Sequence, residues 1–91
     1  MSLKILIPTP LRKITADADV VTVETGSVSE IIENVDRLYP GFRARIRAED
    51  GELRRFINIY INGEDIRFLE NLETVVADGS EVSIVPAIAG G

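Results

Sequence analysis

The residues best suited to chemistry are the two glycines that end the sequence, Gly90 and Gly91. Because glycine has no Cβ, such an end can thread a narrow channel in a partner and present its α-carboxylate there. If the last strand ends at Pro86, residues 87–91 carry that carboxylate up to about 17 Å beyond the folded body. The carboxylate itself would then be the substrate. The dipeptide alone also fits an inert, frayed terminus.

The side-chain composition argues against catalysis by the chain itself. The sequence has no histidine and no cysteine. It therefore lacks the usual general base at neutral pH, the thiol nucleophile and the commonest zinc ligands. Its carboxylates are scattered, and it contains neither a phosphate-binding glycine loop nor a nucleophile motif. We therefore expect a protein that is not an enzyme and holds no cofactor or metal.

The acidic charge balance excludes two classes of partner. The net charge is −5, whereas a nucleic-acid binder needs a basic footprint and an anionic membrane surface attracts basic segments. No apolar stretch approaches the ~20 residues of a membrane span, and residues 3–8 are too few for a signal-peptide core. The sequence predicts a cytoplasmic domain that binds neither nucleic acid nor membrane.

Apolar patterning predicts the elements that must position the C-terminal end. A capping box of Ser27 and Glu30 begins a helix whose apolar stripe runs from Val28 to Tyr39 and stops before Pro40. Residues 42–55 are weakly patterned and are expected to form a loop with a helical turn near 44–47. Alternation predicts strands at residues 3–7, 20–24, 56–61 and 81–86, with a short strand at 65–68 after the Asn62-Gly63 turn.

This order of elements indicates an α+β fold. One helix across one face of a mixed sheet of four to five strands is the β-grasp, or ubiquitin-like, arrangement. The first and last strands would lie parallel in the middle of the sheet. We expect residues 1–86 to form this domain and residues 87–91 to form a flexible tail.

The sheet face away from the helix offers a candidate partner interface. Leu6, Tyr60 and Val85 should point outward from neighbouring strands, and Phe56 could extend the patch. Cross-strand packing that only stabilises the sheet is the alternative. A basic segment is expected to be a solvated face, with a partner contact as the alternative; it comprises Arg43, Arg45, Arg47, Arg54 and Arg55.

The sequence resembles the MoaD/ThiS family of ubiquitin-like sulfur carriers over nearly its whole length. Within that family it is most similar to the branch that serves cysteine biosynthesis. The resemblance is tight from Arg55 onward and looser before it. It is carried by residues 7–12, 55–68, 72, 77–79, 82–87 and 90–91.

The resemblance implies a carrier mechanism. An E1-like enzyme would use ATP to adenylate the carboxylate of Gly91, and a sulfur donor would convert the adenylate to a thiocarboxylate. Ile88, Ala89 and Gly90 would thread the partner's active site. A PLP-dependent cysteine synthase would accept the sulfur, and a metalloprotease would release the new cysteine. The carrier would then be a co-substrate that needs no cofactor of its own.

Two alternatives stay open. The chain could serve molybdopterin or thiamine synthesis, or act as a protein modifier, through the same chemistry. It could instead be a non-covalent ubiquitin-like binding module whose tail is inert. The plain run Ala87-Ile88-Ala89 disfavours the molybdopterin carrier, because those carriers usually have a bulkier or proline-rich approach to Gly-Gly.

Overall fold

The computed structural model describes residues 2–86, and their strands form a five-stranded mixed sheet and a separate two-stranded ladder. The main sheet has the order β2-β1-β7-β4-β5, and β3 pairs with β6. Three short 3₁₀ turns occupy Thr9–Leu11, Ile66–Phe68 and Asn71–Glu73. The strands and helices are β1 (Ser2–Leu6), β2 (Val20–Glu24), β3 (Gly26–Ser27), α1 (Val28–Leu38), α2 (Phe42–Ile46), β4 (Ile57–Ile61), β5 (Glu64–Asp65), β6 (Val75–Val76) and β7 (Glu81–Pro86).

Parallel pairing of β1 with β7 forms the centre of the sheet, as predicted. Leu6 of β1 lies opposite Ser83 of β7, and β4 pairs antiparallel with the other edge of β7. The turn before β7 is bonded to the start of β1. The backbone N–H of Ser2 donates to Asp78 Oδ1 at 2.8 Å, and Gly79 donates to the Ser2 carbonyl at 3.0 Å. The predicted β-grasp fold is confirmed.

The core lies between the inner face of the sheet and α1. Alternate residues of the strands are buried, as period-two patterning predicts. Val28, Ile31, Ile32 and Val35 of α1 are buried against them. Full burial of an aliphatic side chain contributes roughly 1.5–3 kcal/mol. The buried strand residues are Leu3, Ile5, Val21, Val23, Ile57, Ile59, Ile61, Val82 and Ile84.

The predicted capping box fixes the start of α1. The Glu30 N–H donates to Ser27 Oγ at 3.2 Å, and the Ser27 N–H donates to Glu30 Oε1 at 2.9 Å. A Cβ on Gly26 would lie 2.8 Å from that Oε1, so the glycine leaves room for the reciprocal bond. The helix ends at Leu38, whose side chain is exposed, whereas Tyr39, the last residue of the predicted apolar stripe, packs partly buried against the core.

The helical turn predicted near 44–47 is present as the short helix α2, which begins earlier, at Phe42, and ends at Ile46; no named strand or helix follows it before β4. Phe42 and Ile46 are fully buried in the core. Their spacing of four residues is a helical signal, but the arginines between them hid it in the sequence. Gly41, at φ 102°, makes the left-handed turn that joins the two helices.

The short strand predicted at residues 65–68 is present, but it lies at Glu64–Asp65, and residues 66–68 are not part of it. The tight turn is confirmed, since Asn62 and Gly63 both have positive φ, at 50° and 87°. However, β5 ends at Asp65, whose side chain caps a 3₁₀ turn by accepting from the Arg67 N–H at 2.9 Å. Three further strand ends differ by one residue, because β1 spans Ser2–Leu6 instead of 3–7 and β4 starts at Ile57 instead of 56.

Among residues 2–86 the longest helix, α1, has 11 residues. No helix in this range is both long and apolar enough to cross a membrane. Met1 and residues 87–91 lie outside the described residues, and the predicted C-terminal tail lies there with them.

Burial of Phe42 predicts a large cost for its truncation. Phe42→Ala should lower the free energy of unfolding by about 3–5 kcal/mol, because it leaves a cavity under α1. Phe68→Ala is the matched control, since Phe68 is 83% exposed, and it should change stability by about 0.5 kcal/mol or less. Urea denaturation followed by circular dichroism measures both. Equal losses in the two variants would contradict the assignment of α2 to the core.

Candidate functional site

The base of the C-terminal tail lies at the end of the central strand. Pro86, the last residue of β7, pairs with Ile57 of β4. Pairing with β1 reaches only as far as Ser83, so the end of β7 runs along β4 alone. Within the described residues β7 reaches Pro86, whose ring nitrogen has no N–H to donate to a ladder. The predicted functional residues of the tail lie outside the described residues; they are Ile88, Ala89, Gly90 and Gly91.

The structure brings the predicted interface residues together on the open face of the sheet. Leu6 and Tyr60 both lie opposite Ser83, one on each side of β7, so the three form one row across the sheet. Val85 lies in the next row opposite Asn58, and its side chain is 42% exposed. Leu6 and Tyr60 are half-buried. This set, with Phe56, is called the open-face patch below.

Phe56 links the open-face patch to the tail exit. It precedes β4 and is 51% exposed, so the preceding loop does not bury it. Its position has the same parity along the chain as Asn58 and Tyr60, which belong to the outward rows. Phe56 also lines a groove that has Pro86 as one of its walls. A partner that covers the patch would therefore also contact the base of the tail.

A charged network borders the open-face patch, and sequence analysis did not find it. Arg67 Nη2 lies 2.8 Å from Asp65 Oδ2 and also donates to Asn58 Oδ1. Asn58 is the residue opposite Val85, so the guanidinium lies beside the patch. The Asx turn of Asp65 with an arginine two residues later is a local signal that could have indicated it.

Hydrogen bonding sets the charge state of this network. The side-chain hydrogen bond from Arg67 is the main cause that lowers the pKa of Asp65, and the Arg67 backbone N–H lowers it further. The same side-chain bond raises the pKa of Arg67. Both groups are therefore charged throughout the neutral range. A hydrogen-bonded cation therefore stands at the edge of the open-face patch.

The basic segment predicted as a solvated face is only partly paired. Arg43 Nε lies 2.8 Å from Glu33 Oε2, and Arg47 Nη1 lies 3.7 Å from the same oxygen. Arg54 Nε donates to the Ala44 carbonyl at 3.0 Å. Arg45 makes no ion pair or side-chain hydrogen bond within residues 2–86. The same range contains no cluster of acidic side chains that could hold a metal ion.

Known proteins are similar to this chain in both sequence and architecture. Residues 5–91 match the ThiS family. The chain is 39% identical to the sulfur carrier protein CysO of Mycobacterium tuberculosis over 93 residues, covering 100% of both. It is 36% identical over 91 residues to a putative sulfur carrier protein of Archaeoglobus fulgidus, again covering 100% of both.

The crystal structure of the Amycolatopsis orientalis BexX/CysO complex contains a chain of the same fold. The TM-score is 0.92 at 43% sequence identity, over 98% of this chain and 99% of that one. The fold and the comparisons thus define a ubiquitin-like β-grasp protein of the sulfur carrier class. The chain belongs to the ThiS family, and its similarity to CysO extends along its whole length. The resemblance noted in the sequence is confirmed.

The lowered pKa of Asp65 predicts a pH-dependent contribution to stability. The contribution is fully present above about pH 4, the ordinary carboxyl value, and is lost as the pH falls through the lower folded-state pKa. Asp65→Asn should lower the free energy of unfolding by about 1 kcal/mol or less at pH 7, because Asn can keep the cap but cannot pair with the guanidinium. The gap to the parent should narrow towards pH 2. Urea unfolding at a series of pH values measures this gap.

Glu64→Gln serves as the control, since Glu64 is exposed and makes no ion pair within residues 2–86. Its stability curve should run parallel to that of the parent. If the difference in unfolding free energy between Asp65→Asn and the parent stayed constant with pH, this would contradict a stabilising ion pair between Asp65 and Arg67.

Proposed function

We propose that this sulfur carrier of the CysO type acts through the carboxylate of Gly91, which an E1-like partner adenylates and converts to a thiocarboxylate. The supporting observation is that the ThiS family match runs through residue 91 and so includes Gly90-Gly91. Its full-length relatives are named sulfur carrier proteins, and the chain is likewise a carrier rather than an enzyme.

Adenylation makes the carboxylate electrophilic. One carboxylate oxygen of Gly91 attacks the α-phosphorus of ATP, and pyrophosphate leaves. A donor sulfur at the oxidation level of hydrosulfide then attacks the carbonyl carbon, and AMP leaves with the bonding electron pair. The product is a thiocarboxylate, with no net oxidation or reduction. Because glycine has no side chain, neither attack meets a Cβ. ATP binds to the partner, and the carrier itself holds no cofactor.

In this proposal β7 fixes the position of the tail base, and the tail delivers the carboxylate to the partner. Pro86 is held against Ile57 in the sheet, so the departure point of the tail is well defined. Beyond it, Ile88, Ala89 and Gly90 enter the partner's channel, with Ile88 as the one large side chain. Residues 87–91 have the reach to place the carboxylate about 17 Å away.

The open-face patch is the surface on which the activating partner docks. Tyr60 and Val85 offer apolar area on neighbouring strands, and aromatic residues are favoured at the centres of interfaces. Arg67 at its edge would pair with a carboxylate of the partner and fix the orientation. The CysO of Amycolatopsis orientalis has been seen in complex with BexX. That complex supports a protein partner for a carrier of this shape.

Downstream, the thiocarboxylate sulfur would add to an aminoacrylate held by a PLP-dependent cysteine synthase. The new cysteine would remain attached to the carrier until a metalloprotease hydrolyses the bond and regenerates the Gly91 carboxylate. The full-length similarity to CysO supports this acceptor over the other acceptors used by the family.

Mass spectrometry tests the carrier chemistry. After incubation with ATP, sulfide and an E1-like enzyme from the same organism, the intact chain should gain the mass of one sulfur minus one oxygen. Fragmentation should place the change at Gly91, and deletion of Gly91 should abolish it. If the parent mass stays unchanged while the enzyme activates another carrier, the chain is a non-covalent binding module.

Substitution in the patch tests the docking surface. Val85→Asp should reduce the initial rate of thiocarboxylate formation by about tenfold, because it places an unpaired charge in the interface. Val75→Asp is the matched control, since Val75 is 77% exposed on β6, which belongs to the separate ladder. Equal rates in both variants, with unfolding curves like the parent's, would rule out this surface.

A further inference from the structure

The outer edge of β2 is open along its whole length. Within residues 2–86, β2 pairs with β1 alone and stands at the end of the main sheet. Its register with β1 is one residue to one over Val20–Glu24, so no bulge interrupts the edge. The strand at the opposite end of the sheet, β5, has only two residues. A long open edge presents free N–H and C=O groups that can recruit another strand.

The alternation of hydrogen bonds decides which backbone groups of β2 point outward. The Ile7 N–H donates to the Asp19 carbonyl at 2.8 Å, one step beyond the first pair of the β1–β2 ladder. In an antiparallel pair, hydrogen-bonded and non-hydrogen-bonded positions alternate. Every second residue after Asp19 therefore bonds to β1. The residues whose N–H and C=O groups point away from the sheet are Val20, Thr22 and Glu24.

This edge lacks the features that usually protect one. The strand contains no lysine and no proline, and it consists mainly of valine and threonine, which favour extended structure. Its one charged residue, Glu24, is the last. Val20 is exposed on the strand, and Leu38 is exposed at the end of α1. Leu38 lines a groove of about 390 Å³ whose other walls include Thr22 and Glu24. A strand laid along β2 would cover the open side of this groove.

We propose that β2 pairs antiparallel with β2 of a second copy of this chain, across a two-fold axis at Thr22. In this register Thr22 lies opposite the second copy's Thr22, and Val20 lies opposite the second copy's Glu24. Every outward N–H and C=O of the strand then gains a backbone partner. A shift of two residues in either direction would leave some of them unpaired. A second copy therefore matches this edge in both length and hydrogen-bond pattern.

Charge and symmetry also favour a second copy. The two Glu24 carboxylates would stand at opposite ends of the paired segment, about 13 Å apart along the strands. This separation exceeds the Debye length of about 8 Å at physiological ionic strength, so their repulsion is screened. Both copies use the same edge, so the assembly closes at a dimer and does not grow into a filament.

The dimer would leave the open-face patch of each copy accessible. Side chains directly opposite each other in paired strands lie on the same face. Both patches would therefore lie on one face of the joined sheets. Tyr60 and Val85 are on strands that β1 separates from β2. A partner with two sites would engage both carriers, and the second contact would gain from a high effective concentration. This consequence rests on the proposed function, whereas the pairing itself does not.

Sedimentation velocity of the intact chain alone, over a series of concentrations, tests the pairing. We expect the parent to pass from monomer to dimer as the concentration rises. Thr22→Pro should raise the dissociation constant about tenfold or more, because it removes the N–H at the axis in both copies. That N–H points away from β1, so the monomer keeps its ladder. Thr22→Ala is the matched control, since it keeps the N–H and should dimerise like the parent.

A charge at the axis gives a second test that does not depend on the strand tolerating proline. Thr22→Glu would place two carboxylates directly opposite each other in the dimer. In the monomer the new carboxylate would lie beside Lys4, the residue of β1 that pairs with Thr22. Thr22→Glu should therefore dimerise about threefold more weakly than the isosteric Thr22→Gln. Circular dichroism checks that both variants are folded.

Hydrogen exchange identifies the surface that is used. The amides of Val20, Thr22 and Glu24 should exchange more slowly as the protein concentration rises. A chain that stays monomeric at millimolar concentration would overturn the proposal, and so would a dimer equally stable in the parent, Thr22→Pro and Thr22→Glu. Protection of these amides that is independent of concentration would mean that the chain itself covers the edge, and would also overturn it. No partner enzyme is present, so failure here is separate from failure of thiocarboxylate formation.

Discussion

The parallel pairing of the first and last strands is the constraint on which the rest of this structure depends. Parallel strands cannot be joined by a tight turn, so the chain between β1 and β7 must form a long crossover. Here the crossover contains α1, whose buried apolar side chains pack against the inner face of the sheet. The turn at Asp78 and Gly79 bonds to Ser2 and sets the register of the pair. That register in turn determines where Pro86 leaves the sheet.

The candidate site separates recognition from reactivity. In the proposed function the reactive group is a main-chain carboxylate, which needs no tuned side chain. The folded body would then provide a docking surface and a defined starting point for the tail. Phe56 belongs to both, since it extends the open-face patch and also lines the groove at Pro86. The ordered Arg67 adds a fixed charge at the edge of that surface. This division explains how a chain without histidine or cysteine can take part in sulfur chemistry.

The sequence predicted those elements whose signals are local. Period-two alternation identified β1, β2, β4 and β7, and a capping box identified the start of α1. The start and the buried face of α2 were not predicted, because Phe42 and Ile46 are separated by charged residues and their burial depends on packing beneath α1. The hydrogen-bond network of Arg67 was not predicted, because Asn58 comes close to Arg67 only when β4 and β5 pair. The roles assigned to the tail residues depend on the family resemblance, since residues 87–91 lie outside the described structure.

The central position of β7 also bears on biosynthesis. A growing chain that has not yet emerged as far as Glu81 lacks the strand that both β1 and β4 pair with. The contacts that close the sheet join residues from the two ends of the sequence, and such long-range pairing forms late. On the ribosome, the domain can complete its sheet only after the segment that precedes the tail has emerged. A truncated translation product would therefore lack a folded docking surface and would not compete for the partner.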